Sequence, residues 1–171
     1  MNIVENYEIY TQRLGMRQLA GSDLDAYYEI TSKDEVCKWL LSPASKTQTE
    51  TKQLIEKFSN HWEDKGYGVW GVFDKQTNAL LGHCGVQYLK DSGEVELLYA
   101  FGPKYWGHGY ATEAARATLE WVFGKTKLNR IIVLAMPDNS KSINIIQKLG
   151  AKSSGIKEYF GAKLLCYEII R

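Results

Sequence analysis

One stretch in the middle of the chain, from Glu94 to Phe123, constrains the fold more than any other. Its first part, 95–101, is rich in apolar and aromatic residues, which is typical of a buried strand. Pro103 ends that strand because it has no backbone N–H group to donate. Gly107 and Gly109 then permit a tight turn, and a helix with one apolar stripe follows at once. The chain therefore passes from strand through glycine turn to helix without a spacer.

The turn at Gly107 and Gly109 is a candidate anion site. The helix leaves unpaired backbone N–H groups at its first turn, and the positive end of its dipole lies at the same place. We therefore expect a ligand that carries phosphate. Two glycines also occur in turns that only connect two elements, and that interpretation stays open. The apolar stripe of the helix recurs at helical spacing in Ala111, Ala114, Ala115, Thr118, Leu119 and Val122.

Neither of two common nucleotide-binding motifs fits this turn. A dinucleotide fingerprint has glycine or alanine where this chain has Thr112, and it belongs to the first strand–helix unit of a domain. A Walker loop needs Gly-Lys followed by Ser or Thr, which this loop lacks. The strands before the turn are joined by short connections, which predicts an antiparallel meander and argues against a doubly wound nucleotide fold.

The remaining elements follow from periodicity and end signals. Ser22-Asp23 and the capping box Thr47-x-x-Glu50 each begin a helix, and Asn139 begins a shorter one that Gly150 ends. The apolar run 130–135 comes after a strand and a helix, so a right-handed crossover lays it parallel to the strand 95–101. The predicted strands are 7–19, 67–74, 80–89, 95–101, 130–135, 156–160 and 164–170.

Composition narrows the class of protein. A chain of 171 residues with 44% hydrophobic and 24% charged residues fits one soluble domain, 1–171. A net charge of +1 gives no broad basic field, so we expect no nucleic-acid partner. The N-terminal region has no apolar run of membrane length, so we expect no membrane partner and a cytoplasmic location. The three cysteines, Cys37, Cys84 and Cys166, are far apart and predicted to be reduced core thiols.

The segment 106–111, W-G-H-G-Y-A, resembles the pyrophosphate loop Q/R-x-x-G-x-G/A of the GCN5-related N-acetyltransferases. Trp106 stands where that loop usually has Gln or Arg, and this replacement is similar to the branch named for the RimJ and RimL ribosomal-protein acetyltransferases. Asn139-x-x-Ser142 and K-L-G at 148–150 resemble the second motif of the family. The resemblance covers about 11–170.

The resemblance implies a fold and a cofactor. The fold is a single α/β domain whose mixed, mostly antiparallel sheet has about seven strands, with a splayed central parallel pair and helices on both faces. The cofactor is acetyl-CoA, whose pantetheine arm bonds the strand before the loop. The implied cofactor-binding residues are Leu98, Tyr99, Ala100, Phe101, Trp106, Gly107, His108, Gly109, Tyr110, Ala111, Thr112, Asn139 and Ser142.

The same resemblance suggests catalytic residues. Glu96 occupies the place of a glutamate implicated as general base, although Glu94 lies on the same face and both are equally typical of solvated carboxylates at a strand start. Many members use a tyrosine as the acid, but Ile146 stands in that position here. The serine of Asn139-x-x-Ser142 is therefore the candidate acid, while both residues also suit a plain helix cap.

The sequence predicts the class of the acceptor molecule but not its identity. The resemblance implies a primary amine, either the N-terminus of a protein such as a ribosomal protein or a small molecule. The walls of the acceptor pocket are expected from 39–45, the helix that begins at Thr47 and the turn at Gly161. No metal is expected because His61, His83 and His108 do not cluster at ligand spacing. We expect a monomer or homodimer. Two alternatives remain: a CoA-binding module without transferase activity, and nicotinamide binding.

Overall fold

Eight strands form one sheet, in the order β1-β2-β3-β4-β5-β6-β8-β7, in the computed structural model, which describes residues 6–40 and 47–171. Adjacent strands are antiparallel except for the central pair β5 and β6, which is parallel. The predicted mixed, mostly antiparallel sheet is confirmed. The strands are β1 (Ile9–Tyr10), β2 (Leu14–Arg17), β3 (Val69–Asp74), β4 (Leu80–Leu89), β5 (Glu94–Phe101), β6 (Arg130–Ala135), β7 (Lys152–Tyr159) and β8 (Ala162–Ile170).

Five α-helices occur in the described ranges, together with two short 3-10 turns, Gly21–Asp23 and Pro103–Tyr105. The α-helices are α1 (Leu24–Thr31), α2 (Asp34–Cys37), α3 (Gln48–Lys65), α4 (Tyr110–Lys125) and α5 (Ser140–Lys148).

The helix boundaries show how the sequence sets these elements. Thr47 and Glu50 form the predicted reciprocal capping box of α3, and Gly66 ends that helix with φ 72°. At α5 the side chain of Asn139 accepts a hydrogen bond from the Ser142 N–H, and Gly150 follows the helix with φ 76°. Each cap satisfies backbone groups that would otherwise be unpaired at a helix end.

Strand alternation divides the core between the two faces of the sheet. On one face, Tyr27 of α1 and Phe58 of α3 pack with Val69 and Phe73 of β3. On the other face, the predicted alanine stripe of α4 packs with side chains such as Leu97 of β5. Helices therefore cover both faces, as predicted, and the buried apolar area on each face fixes the register of the strands.

The central parallel pair separates part-way along its length. The ladder between β5 and β6 contains two pairs, Glu96 with Ile132 and Leu97 with Val133, and then ends. Beyond it, β5 stays paired with β4 as far as Phe101, while β6 stays paired with β8. The edge of β5 that faces β6 is consequently open from Leu98 onward, which matches the predicted splay.

The structure corrects two predicted strands. The segment 7–19 is a hairpin of β1 and β2, because the side chain and backbone of Thr11 bond Leu14 and turn the chain. This makes the count eight instead of about seven. Strand β7 begins at Lys152 and not at 156, and the polar residues at its start are tolerated because β7 is an edge strand. Part of the predicted acceptor wall, 41–45, lies outside the described residues.

Candidate active site

One cavity of about 660 Å³ occupies the gap between β5 and β6 and reaches the first turn of α4. It is lined by Glu96 and by every residue expected to bind the cofactor except His108. The His108 side chain is exposed, and its backbone carbonyl instead accepts a hydrogen bond from Arg13 Nη1 at 2.8 Å. Residues that lie far apart in the chain are thus brought to one site by the splayed strands.

The loop before α4 has the backbone geometry that its glycines predict. Gly107 and Gly109 both have φ 79°, which favours residues without a β-carbon. Glu113, in the first turn of the helix, would repel an anion, but its carboxylate is engaged by Arg13 at 2.7 Å and by the Thr11 hydroxyl at 2.6 Å. The Arg13 guanidinium also lies over the ring of Tyr110. Arg13 therefore stabilises the loop through the carbonyl of His108 and offsets the negative charge of Glu113.

Trp106 closes the end of the open strand. Its indole N–H donates to the carbonyl oxygen of Phe101, the last residue of β5, at 2.8 Å. The ammonium group of Lys141 lies 4.5 Å from the centre of the Trp106 ring, and Lys141 and Lys148 both line the cavity. Positive charge is therefore available beside the loop amides, where an anionic ligand would sit.

Glu96 is a buried carboxyl group at the other end of the cavity, with 3% of its surface exposed. Its Oε2 atom accepts a hydrogen bond from Gln87 Nε2 at 2.9 Å. Burial raises the pKa of Glu96 to about 7, and the bond from Gln87 only partly offsets that rise. A carboxyl group with this pKa exchanges a proton readily near neutral pH.

Ser142 and Tyr99 form a hydroxyl pair on the cavity wall. The Tyr99 hydroxyl lies 2.8 Å from Ser142 Oγ. Burial raises the pKa of Tyr99, so its phenol remains protonated at neutral pH. Ile146, at the position where the resemblance implies a tyrosine acid, is fully buried in the core, and its side chain has no polar atom.

Comparison with known proteins agrees with this geometry. The family model described as acetyltransferase (GNAT) domain matches residues 13–152. The chain belongs to the GNAT acetyltransferase family.

Three relatives illustrate the match of this GNAT chain. The uncharacterized N-acetyltransferase YnaD of Bacillus subtilis (strain 168) is 32% identical over 149 residues, covering 86% of this chain and 84% of that protein. The solved structure of a GNAT-family acetyltransferase from Bacillus anthracis is 29% identical with a TM-score of 0.80, covering 95% and 97% of the two chains. Spermidine N(1)-acetyltransferase of Escherichia coli (strain K12) is 22% identical over 147 residues, covering 85% and 77%.

The GNAT cavity suits the extended, anionic donor of this family. Added β-carbons at Gly107 and Gly109 would project from a backbone that L-residues rarely adopt, and Lys141 and Lys148 supply cations nearby. The open edge of β5 offers backbone groups that the amides of a pantetheine arm can bond. The residues present therefore fit acetyl-CoA, the acetyl donor of this family.

Glu94, the alternative base, has a different environment from Glu96. Its carboxylate accepts hydrogen bonds from the Tyr159 hydroxyl and from Arg130 Nη1, and Arg130 also pairs with Glu168 at 2.9 Å. Burial alone would raise the pKa of Glu94, but these partners lower it. Glu94 is not among the residues that line the cavity, and it joins β5 to β6 and β8 instead.

Two further residues that line the cavity were not predicted from the sequence as site residues. Gln87 pairs with Glu96 across the β4–β5 hairpin, a register that the turn at 91–93 could have indicated. His83 lies on the same face of β4 and lines the cavity, with its Nδ1 atom 2.7 Å from the Tyr27 hydroxyl. No local sequence pattern marks that contact, because it depends on how α1 packs on the sheet.

Several residues of the expected acceptor walls line the cavity. Trp39 and Leu40, Leu54 and Phe58 of α3, and Phe160 beside Gly161 all line the cavity. Across 6–40 and 47–171 no cluster of side chains is suited to a metal ion. Within those ranges, no helix combines the length and apolar character that crossing a membrane requires.

Proposed function

We propose that this GNAT domain is an acetyl-CoA-dependent N-acetyltransferase that moves the acetyl group to a primary amine by direct attack on the thioester. The observation that carries the proposal is the continuity of the cavity from the loop at Gly107 and Gly109, along the open edge of β5, to Glu96. When bound, the thioester supplies the carbonyl carbon that the amine attacks.

Glu96 takes the proton of the attacking amine, directly or through one water molecule. Its buried position supports this role because a pKa of about 7 leaves the carboxylate basic enough to accept a proton at neutral pH. Gln87 holds the carboxylate in place through the bond to Oε2. The backbone N–H of Leu98 or Tyr99, where β5 is open toward β6, donates to the thioester oxygen as negative charge develops there.

Ser142 donates a proton to the departing sulfur, and a proton from solvent then restores the serine hydroxyl. The Tyr99 phenol keeps its proton and in this proposal donates it in a hydrogen bond to Ser142 Oγ, which leaves the serine proton free to point into the cavity. The bond between the Asn139 side chain and the Ser142 N–H fixes the serine backbone at the helix start. The cap and the catalytic role are thus compatible in one pair of residues.

The acceptor is a primary amine of either of two kinds. The resemblance of the loop to RimJ and RimL supports the N-terminus of a protein, such as a ribosomal protein. The spermidine acetyltransferase of Escherichia coli, which is similar over 85% of this chain, supports a small-molecule amine. Both kinds present a neutral amine after deprotonation, and the chemistry at Glu96 is the same for both.

A panel of peptides and small primary amines, assayed for release of the CoA thiol from acetyl-CoA, tests the proposal. We expect a release rate that depends on the acceptor and an acetylated amine identified by mass spectrometry. A CoA-binding module without transferase activity would instead bind CoA tightly and show the same slow hydrolysis with every amine, which would refute the proposal.

A further inference from the structure

The cavity extends beyond the gap onto the face of the sheet that α1 and α3 cover. We call this part the side chamber, and define it by its wall and by the strand residue beneath it. The strand residue is His83 of β4, and the wall is formed by Val36, Trp39, Leu40, Leu54 and Phe58. Because β5 separates β4 from the gap, the side chamber lies to one side of the path from the loop to Glu96.

His83 carries an unpaired polar atom at this otherwise apolar wall. Only 2% of its surface is exposed, and its ring packs edge-on against Phe58 and Tyr27. Its Nε2 atom has no hydrogen-bond partner among the described residues, and no other buried side-chain nitrogen or oxygen there shares that condition. Buried polar atoms are nearly always partnered, and leaving one unpaired destabilises the fold. A partner from outside the chain would remove that destabilisation.

The neighbour of His83 decides what kind of partner fits. Tyr27 is fully buried, and burial raises the pKa of its hydroxyl, which therefore keeps its proton. We infer that this proton is donated to His83 Nδ1, which is the hydrogen-bond partner of the Tyr27 hydroxyl in the described chain. The ring proton of His83 then resides on Nε2. Burial also lowers the pKa of His83 to about 4, so the ring is uncharged at neutral pH. His83 thus offers a neutral N–H donor.

We propose that the side chamber holds the part of the acceptor remote from its amine, and that His83 Nε2 donates a hydrogen bond to an uncharged oxygen there, a carbonyl or hydroxyl oxygen. The inference rests on the proposed transferase function. Along β4, His83 lies four residues from Gln87, which pairs with Glu96, a separation of about 13 Å in an extended strand. The oxygen is therefore several bonds from the amine.

The same geometry disfavours a polyamine. A second ammonium group in the side chamber would lose its water beside apolar side chains, and an Nε2–H group cannot accept a hydrogen bond from it. The acceptor class is accordingly a monoamine with an uncharged body that carries a neutral oxygen several bonds from the amine. An extended peptide, whose second or third carbonyl lies several bonds from the terminal amine, belongs to this class.

Kinetics with matched probes test the donor. The probes are ω-amino-N-methylcarboxamides of increasing chain length, the alkylamines of equal length, and spermidine. At one chain length we expect wild-type kcat/KM to be about tenfold higher for the amide than for the alkylamine. His83→Phe should abolish that preference while the Kd for CoA stays unchanged. An equal preference in both proteins, or a preference for spermidine in the wild type, would overturn the proposal.

Tyr27→Phe provides a second variant that keeps the ring in place. Without the tyrosine hydroxyl the His83 proton is free to occupy either nitrogen, so we expect a weaker preference for the amide, with the change in KM and not in kcat. A preference equal to that of the wild type would contradict the assignment of the tautomer.

Nitrogen-15 spectra of histidine-labelled wild-type protein give a readout independent of turnover. We expect the Nε2–H tautomer of His83 from pH 6 to 8 and a shift of its Nε2 resonance when the amide probe binds beside CoA. An Nδ1–H tautomer, or no shift at saturating probe, would overturn the proposal. If no amine is acetylated but the amide still moves this resonance, the transferase function fails and the binding site stands. If the wild type acetylates amide and alkylamine at equal rates, the transferase function stands and the proposed binding site fails.

Discussion

Two glutamates on one strand show how far local environment determines chemistry at the residue scale. Glu94 and Glu96 are two positions apart on the same face of β5. Glu94 is held by Arg130 and Tyr159, which lower its pKa, whereas Glu96 is buried with Gln87 and has a pKa of about 7. Only Glu96 therefore changes its charge near neutral pH, and only Glu96 lines the cavity.

Glu96→Gln tests the base directly. We expect turnover to fall roughly a hundredfold, because the amide cannot accept the proton of the amine. Wild-type turnover should rise with pH through about 7 as Glu96 ionises, and this limb should vanish in the variant. Steady-state rates from pH 5.5 to 9 measure both effects. Glu94→Gln is the matched control and should retain the limb. A retained limb in Glu96→Gln would exclude Glu96 as the base.

The same substitution has a consequence for stability. A carboxyl group whose folded pKa is raised favours the folded state at low pH, and this advantage is lost as pH rises from 4.5 through about 7. Glu96→Gln removes the titration, so relative to wild type the variant should gain on the order of 3 kcal/mol of unfolding free energy between pH 4.5 and 8. Urea unfolding of both proteins at the two pH values checks this. If the difference in unfolding free energy between variant and wild type is the same at both pH values, the pKa of Glu96 is not strongly raised.

Ser142→Ala tests the proton donor. We expect turnover to fall at least tenfold with little change in the Kd for CoA, because the cap at Asn139 uses the Ser142 backbone and stays intact. Tyr99→Phe should also slow turnover. The double variant should be no slower than the slower single variant, since the two hydroxyls act as one unit. Ser140→Ala, on the exposed start of the same helix, is the control. Additive losses would contradict the hydroxyl pair.

Sequence reasoning reached the residues of the site unevenly. The glycines and the helix caps could be predicted because each belongs to a local pattern, whereas Glu96, which lines the cavity, was expected only from the family resemblance. The bonding of Trp106 to Phe101 and the engagement of Glu113 by Arg13 could not, because they join segments through the folded backbone. His83 is the extreme case, since its tautomer depends on the hydroxyl of Tyr27 in α1, which lies 56 residues earlier in the chain.

At the scale of elements, the unit of strand, loop and helix is the most predictable part of the fold. Pro103 and the two glycines act locally, so β5, the loop and α4 appear where the sequence indicates. The hairpin of β1 and β2 and the early start of β7 were missed for another reason. A two-residue strand has almost no periodicity, and an exposed edge strand lacks the apolar alternation that marks buried ones.

Gly109→Val tests the loop as an anion site. Valine at φ 79° is strained by about 1–3 kcal/mol, and its β-carbon would also lie near Arg13 Nη2. We expect the loop to reorganise and the Kd for CoA to rise at least tenfold, measured by calorimetry. Gly124→Ala, near the far end of α4, lies in open space and should leave CoA binding unchanged. Unaltered affinity in Gly109→Val would remove the loop from the site.

At the scale of the whole molecule, the two faces of the split sheet bring different groups to the cavity. Strands β5 and β6 part just after Leu97, so the loop before α4 and the hydroxyl of Ser142 reach the gap from one face. Glu96 and His83 approach from the face that α1 and α3 cover. In the proposed reaction, donor and acceptor therefore meet only where the strands separate, so the site would need the complete sheet and not one motif.

Ligand-dependent stability tests this arrangement as a whole. A ligand that binds only the folded chain stabilises it, by about 2.7 kcal/mol at one hundred times its Kd. For a chain of this length that raises the melting temperature by roughly 5 to 10 °C. We expect CoA and acetyl-CoA to produce such a shift and NAD and NADP to produce none, because the loop lacks a dinucleotide fingerprint. Glu96→Gln should keep the shift and Gly109→Val should lose it. Stabilisation by a nicotinamide nucleotide, with no effect of millimolar CoA, would mean that the gap between β5 and β6 holds a different cofactor.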